Sequence, residues 1–212
     1  MFKKIRRISH FCYYLFQIYE IFFANLPRQT NKSIDEICFP YIVDNKNTVS
    51  LDLGSGSTPV NPFKSSSVFG LDLFDDNERN VKHCRLGYEV IPFPDEHFNF
   101  ITAFDLIEHI PRFDYINKEI NSPFIHLMNE IWRVLKEDGI FLSHTPIYPF
   151  PEAFQDPTHN NIITSNTFRE YFSNEKYSIA ESYGICSDFK ILEEYMKYRH
   201  QVILLKKINT ST

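Results

Sequence analysis

Val49-Ser50-Leu51-Asp52-Leu53-Gly54-Ser55-Gly56-Ser57-Thr58-Pro59 is the stretch whose reading decides the fold. A short apolar run closing on two glycines reads as a strand that turns sharply and passes close to a ligand with no Cβ in the way. In open α/β sheets, ligands lie beyond the carboxyl ends of such strands. Three nucleotide classes compete for a turn of this kind. A Walker-type phosphate loop requires Gly-Lys-Ser/Thr at its end, which this stretch lacks. A dinucleotide-binding turn wants a third glycine where Pro59 stands, and a helix amino-terminus aimed at a pyrophosphate. Pro59 and Pro62 leave that helix short or absent. A ligand with an adenosine but no pyrophosphate has no need of the helix end.

Outward from this turn, the punctuation is that of an α/β domain. Residues 48–53, 68–73, 98–104, 140–143 and 200–208 read as strands, the last of them central in the sheet. A helix is expected to start over 105–110, and a longer one to span 117–136. There Ile120, Phe124, Leu127, Met128, Ile131 and Leu135 recur at near-helical spacing, and Glu137-Asp138-Gly139 supplies a stop with a glycine cap. A further short helix is expected near Ser165. Strands alternating with helices imply a mostly parallel sheet covered on both faces.

These segments together resemble the class I S-adenosylmethionine-dependent methyltransferases. Asp52-Leu53-Gly54-Ser55-Gly56 is similar to the first motif of that family. Gly70-Leu71-Asp72-Leu73 is similar to its second strand, whose terminal acid accepts from the ribose hydroxyls; Asp72 follows Gly56 by 16 positions. Residues 91–98, with Phe93, resemble the loop near the adenine, and Phe104-Asp105-Leu106-Ile107-Glu108-His109-Ile110 the strand end near the methionine portion. Residues 130–139 resemble the helix that leads into the fifth strand. The likeness covers about residues 48–146 well and the carboxyl end loosely. It implies a Rossmann-like, doubly wound, seven-stranded mixed sheet over residues 46–212, with a helical extension over 1–45. It also implies S-adenosyl-L-methionine as cofactor, held by Asp52, Gly54, Ser55, Gly56, Asp72, Leu73, Phe93, Phe104 and Asp105. Two departures stand out. The crossover from Gly56 to Val68 is too short for a full helix, so one face of the sheet should be thinly covered. Cys84-Arg85-Leu86-Gly87 lacks the acid that often holds the adenine amino group.

Composition narrows the acceptor. The 212-residue chain has a net charge of −5, and its only basic cluster is Lys3, Lys4, Arg6 and Arg7. Nucleic-acid binding draws most of its affinity from a concentrated basic face, so nucleic acid is not an expected substrate. Cys12, Cys38, Cys84 and Cys186 form no CxxC pair, no metal cluster is evident, and a reducing, cytoplasmic compartment is the simple reading. Residues 1–26 combine a basic start with an apolar, aromatic run too short and polar for a bilayer span. They read as a helix packed beside the sheet, or as an interfacial helix in peripheral contact with a membrane. The expected acceptor is a small molecule or a glycan precursor, methylated at oxygen. A hydroxyl acceptor must lose a proton, and histidine is the natural base near neutral pH. His109, His144 and His159 stand where the strand ends should open, with His159 foremost; its Asp-Pro-Thr-His stretch resembles one found in methyltransferases of surface-glycan pathways. The rival reading is a non-catalytic cofactor- or partner-binding module on the same scaffold. Oligomeric state is not legible in the residues.

Overall fold

The computed structural model describes residues 12–17, 19, 26–42, 47–116 and 118–209. Five strands run parallel: β1 (Val49–Leu53), β2 (Ser67–Asp72), β3 (Val81–His83), β4 (Phe98–Phe104) and, later in the chain, Leu135–Pro146. Between the last two, β5 (Asp114–Ile116) and β6 (Glu119–Asn121) pair separately as a small antiparallel hairpin. Leu135–Pro146 is therefore β7, followed by β8 (Phe189–Lys197) and β9 (His200–Lys207). β9 inserts antiparallel beside β7, and β8 closes the edge antiparallel to β9. The main sheet thus has seven strands in the order β3-β2-β1-β4-β7-β9-β8. The chain moves outward from β1 to β3, then returns to the other side of β1 as β4. A crevice is expected at that reversal, beyond the carboxyl ends of β1 and β4.

The two faces of the sheet are covered differently. Side chains alternate along a strand, so Leu51 and Leu53 share one face with Ile101, Ala103, Phe141, Ile203 and Leu205. That face receives α2 (Pro123–Val134), whose Phe124, Leu127, Met128, Ile131 and Val134 are buried. The opposite face carries Phe100, Ile140, Leu142, Val202 and Leu204, and it is covered by Ile37, Cys38 and Phe63. Ile37 and Cys38 belong to the one-and-a-half-turn α1 (Ile34–Cys38), started by a full capping box between Ser33 and Glu36. Phe63 comes from the β1–β2 crossover and stacks on Phe100 with ring centroids 4.2 Å apart. Residues 54–66 contain no helix, as Pro59 and Pro62 imply, so one buried aromatic ring stands where a crossover helix would otherwise pack.

Several expectations are corrected. Residues 105–110 form only a single 3-10 turn at Ile107–His109. The expected 117–136 helix begins at Pro123, a residue suited to a first helical turn, because Glu119–Asn121 is a strand. Its end at Val134 precedes the Glu137-Asp138-Gly139 stop, where Asp138 rather than Gly139 takes the positive φ, 60°. Gly139 is needed for space instead: a Cβ there would meet the Lys136 carbonyl oxygen at 2.8 Å. The short helix α3 (Thr167–Phe172) forms close to its expected start. In the extension, Ile37 and Cys38 are part of the sheet's own core. Residues 12–17 are helical, and Tyr13, Tyr14, Leu15, Phe16 and Tyr19 are exposed. The rest of the apolar run over 1–25 lies outside the described residues. No helix among the described residues is long and apolar enough to cross a membrane.

Candidate active site

The glycine turn after β1 folds back over β2. Gly54 and Gly56 both adopt positive φ, 66° and 56°, where a side chain is strained. The Gly54 and Ser55 N–H groups donate to the Leu71 carbonyl at 2.8 and 3.2 Å. Gly70, on β2, makes room for the turn, since a Cβ there would collide with the Ser55 hydroxyl and the Pro59 ring. Gly54 in turn leaves space for Leu106, whose Cδ1 would sit 2.9 Å from an added Cβ.

Two carboxylates grip this turn from opposite sides. The Asp72 Oδ2 accepts from the Gly56 N–H at 2.8 Å and its Oδ1 from the Leu73 N–H at 2.7 Å. Asp52 lies beneath the turn, almost fully buried; its Oδ1 accepts from the Thr102 hydroxyl at 2.6 Å and its Oδ2 from the Val60 N–H at 3.0 Å. Burial raises the Asp52 pKa to about 6, opposed by those two hydrogen bonds and reinforced by the negative charge of Asp72. Both acids therefore shape one loop, but only Asp72 reaches the cleft. Asp52, almost fully buried, is not part of the cleft lining, and its bonds to Thr102 and Val60 place it as a support beneath the turn.

The cleft itself encloses about 380 Å³ at the carboxyl ends of the parallel strands, a size suited to a small ligand. Gly54, Asp72 and Leu73 form one wall; Cys84, Arg85 and Leu86, just past β3, form another; Leu106, His109 and Ile110 form the third. Ser55 and Gly56 belong to the adjoining turn. The structure does not bring the other expected contacts here. Phe93 packs against Phe69, His97 and Phe98, with the Lys82 ammonium 4.4 Å above its ring. Phe104 packs on the Phe63 face and against His144. The Asp105 carboxylate turns to two imidazoles instead. The Cys84–Leu86 wall carries no motif of residue types, so its only signal in the sequence is its place after a strand's carboxyl end.

Four histidines gather beside the cleft, and the sequence reading anticipated three. His109 lines the cleft wall. Its Nδ1 lies 3.0 Å from the Thr158 Oγ, while the Thr158 hydroxyl donates to the Asp156 carboxylate at 2.6 Å. With that proton committed to Asp156, Thr158 presents a lone pair to His109. This assigns the proton to Nδ1 of His109 and leaves Nε2 as the free base nitrogen. The Thr158 hydroxyl and N–H hold the Asp156 carboxyl below the usual carboxylate range. His159 sits edge-on to His109 at 4.8 Å, its Nδ1 buried without a partner. His144, at the end of β7, and His200, at the start of β9, stack in parallel at 4.5 Å, and both face Asp105. Burial opposes ionisation of Asp105, yet the His144 hydrogen bond and the neighbouring imidazoles hold its pKa below the ordinary value. Burial, aided by repulsion from His144, lowers that of His200. His200 was missed because a histidine opening a terminal strand carries no motif; only the antiparallel placement of β9 beside β7 brings it to the strand ends.

Glu108 is buried and accepts from the Thr145 hydroxyl at 2.7 Å, while its carbonyl receives the N–H groups of Asn160 and Asn161 at 2.8 and 2.9 Å. It anchors the Asp-Pro-Thr-His stretch against the 3-10 turn that carries His109.

Comparison with known proteins bears on the fold. Residues 51–143 match the model of a methyltransferase domain family. A search of curated proteins found no match. Among solved structures, the chain is similar to a SAM-dependent methyltransferase from Archaeoglobus fulgidus, with 16% identity over 92% of this chain and 100% of that one and a TM-score of 0.50. A Pyrococcus horikoshii OT3 protein gives 14% identity over 91% and 99%, with a TM-score of 0.54. A Galdieria sulphuraria protein, a candidate sarcosine dimethylglycine methyltransferase, gives 20% identity and a TM-score of 0.50 over 76% of this chain; the chain spans only 63% of its length. At these identities the structural likeness speaks for the fold.

Proposed function

We propose that the chain uses S-adenosylmethionine to methylate a hydroxyl of a small-molecule or sugar-like acceptor, with His109 as the general base, a reading supported by the match of residues 51–143 to a methyltransferase domain family. The cofactor supplies an electrophilic methyl group on a sulfonium. The residues present fit it: Gly54 and Asp72 stand on one wall of the cleft, and at Gly56 an added Cβ would enter open space. An ionised carboxylate has about four acceptor positions, so Asp72 keeps lone pairs for ribose hydroxyls beside its bonds to Gly56 and Leu73. Asp52 fixes the turn from below through Val60.

The observation that carries the acceptor reading is that His109 shares the cleft with Gly54 and Asp72, its Nδ1 tied to Thr158. The acceptor oxygen gives its proton to Nε2 as it takes the methyl group. The resulting imidazolium donates from Nδ1 to Thr158, and the Asp156 carboxylate behind it stabilises the charge. Thr158 and Asp156 are thus positioning residues, and the aromatic 147–163 loop supplies the relay. This moves the base from His159, the foremost sequence candidate, to His109, because the Asp-Pro-Thr-His stretch holds His109 through Thr158. The exposed aromatics at Tyr13, Tyr14, Phe16 and Tyr19 favour a second, compatible reading: peripheral membrane contact through residues 1–26, tested by vesicle co-sedimentation with and without that segment.

The test is release of S-adenosylhomocysteine over a panel of hydroxylated small molecules and sugars. With an active acceptor in hand, His109→Ala is expected to lower kcat about 10²–10⁴-fold, with cofactor affinity unchanged. Turnover at the wild-type rate in that variant contradicts the assignment of the base.

A further inference from the structure

Asp105, His144 and His200 stand apart from the cleft lining and are not needed for the proton transfer at His109. Each offers one ligand atom, and the three atoms lie within 4.8 Å of one another. The Asp105 Oδ1 is 3.0 Å from the His144 Nδ1 and 3.4 Å from the His200 Nε2. Ligands bonded at about 2.1 Å to one ion sit about 3.0 Å apart along an octahedral edge and about 3.4 Å apart along a tetrahedral one. Both distances about Asp105 fit a shared ion, which would replace the hydrogen bond that now joins His144 and Asp105. Two imidazoles and one carboxylate are also the donor set of divalent transition-metal sites with open positions.

The backbone holds the three positions on rigid elements. Phe104, before Asp105, is in register with His144 across β4 and β7, and the Asp105 N–H donates to the His144 carbonyl at 2.9 Å. His144 pairs with Val202, and His200 with Pro146, across β7 and β9. Asp105 itself adopts a left-handed φ of 47°, a region that Asp tolerates better than most residues. The side chains of His144 and His200 are 18% and 23% exposed and that of Asp105 58%, so an ion has a route in and can keep solvent or ligand positions. The two rings are parallel, and convergence on one ion requires them to tilt apart, a side-chain movement that their partial exposure permits. The neighbouring group of Glu108, His109 and His159 also has a metal-compatible donor set. In that group, however, His109 is the proposed base and Glu108 is fully buried, accepting from Thr145.

We infer that Asp105, His144 and His200 bind a divalent transition-metal ion of the zinc type at the carboxyl ends of β4 and β7. The ion would keep open positions for solvent or a ligand. A pair of acceptor oxygens is the ligand they suit; that last step rests on the methyl-transfer reading, whereas the metal site does not.

The experiment is titration of the chelator-treated full chain with Zn²⁺ by calorimetry, and with Co²⁺ by visible absorption, which reports nitrogen ligands directly. One ion per chain is expected. Asp105→Asn and His200→Ala should each weaken it at least about tenfold, the range typical for disturbed metal shells, while His159→Ala leaves it unchanged. S-adenosylmethionine binding in the same variants verifies that they fold. Absence of specific binding overturns the inference, as does a loss on His159→Ala without one on His200→Ala, which would move the ion to the neighbouring group.

Discussion

The two faces of the sheet solve the same burial problem with different parts. On one, α2 lays down a row of apolar side chains, with Leu127, Met128 and Ile131 fully buried and outside the cleft lining. On the other, α1 and the single ring of Phe63 do the covering. Phe63 belongs to the same crossover as Gly54, Gly56 and Val60, so on this face the core and the glycine turn are one piece of chain. Stability and ligand binding should therefore be separable on the helical face and coupled on the thin one.

The largest expected effect tests that contrast directly. Phe63→Ala should cost about 3–5 kcal/mol and Leu127→Ala about 2–5 kcal/mol, the usual range for emptying a core position. Denaturant titration would give both. Calorimetry on the folded fraction should then show weakened cofactor binding for Phe63→Ala alone; equal affinities would break the comparison.

A smaller effect belongs to Asp52, buried on the thin face. Its folded pKa is raised, so its contribution to stability is present below about pH 4 and lost as pH rises through about 6. A displacement of that size is worth on the order of 3 kcal/mol. Wild-type stability should accordingly fall relative to Asp52→Asn between about pH 4 and pH 6. Parallel stability curves for the two proteins would show that Asp52 is ionised in the fold without cost.

The smallest effect concerns the turn. At Gly56 nothing lies within 4 Å of an added Cβ, so Gly56→Ala meets only the backbone strain of positive φ, about 1–2 kcal/mol. Gly54→Ala meets Leu106 as well and should lower the melting temperature further. The reverse ranking would mean that the turn rearranges.

The sheet and the glycine turn after β1 were legible in the sequence because their signals are local. A strand that ends in glycines, a second strand that ends in an acid, and alternating apolar runs each lie within about ten residues. The absence of a crossover helix was legible for the same reason, in Pro59 and Pro62. What was not legible depends on pairing between distant segments. Asp52 and Asp72 look equivalent as strand-end acids, yet Asp52 faces the thin side beneath its own loop and Asp72 faces the cleft. Phe93 sits in a loop of the right composition, but its ring is taken by Phe69 and Phe98. His200 reaches Asp105 only through the register of β9 on β7, and His109 owes its assigned tautomer to Thr158, 49 residues away.

The central claim is that the turn at Gly54 and the carboxylate of Asp72 hold the sulfonium nucleoside. Calorimetric titration of the wild type and Asp72→Asn with S-adenosylmethionine tests it most directly. Hydrogen bonds to a charged group contribute about 1.5–3 kcal/mol, so the account predicts saturable heat in the wild type and an affinity lower by roughly 10–100-fold in the variant. Undiminished affinity in a folded Asp72→Asn protein, or no heat in the wild type, would contradict it.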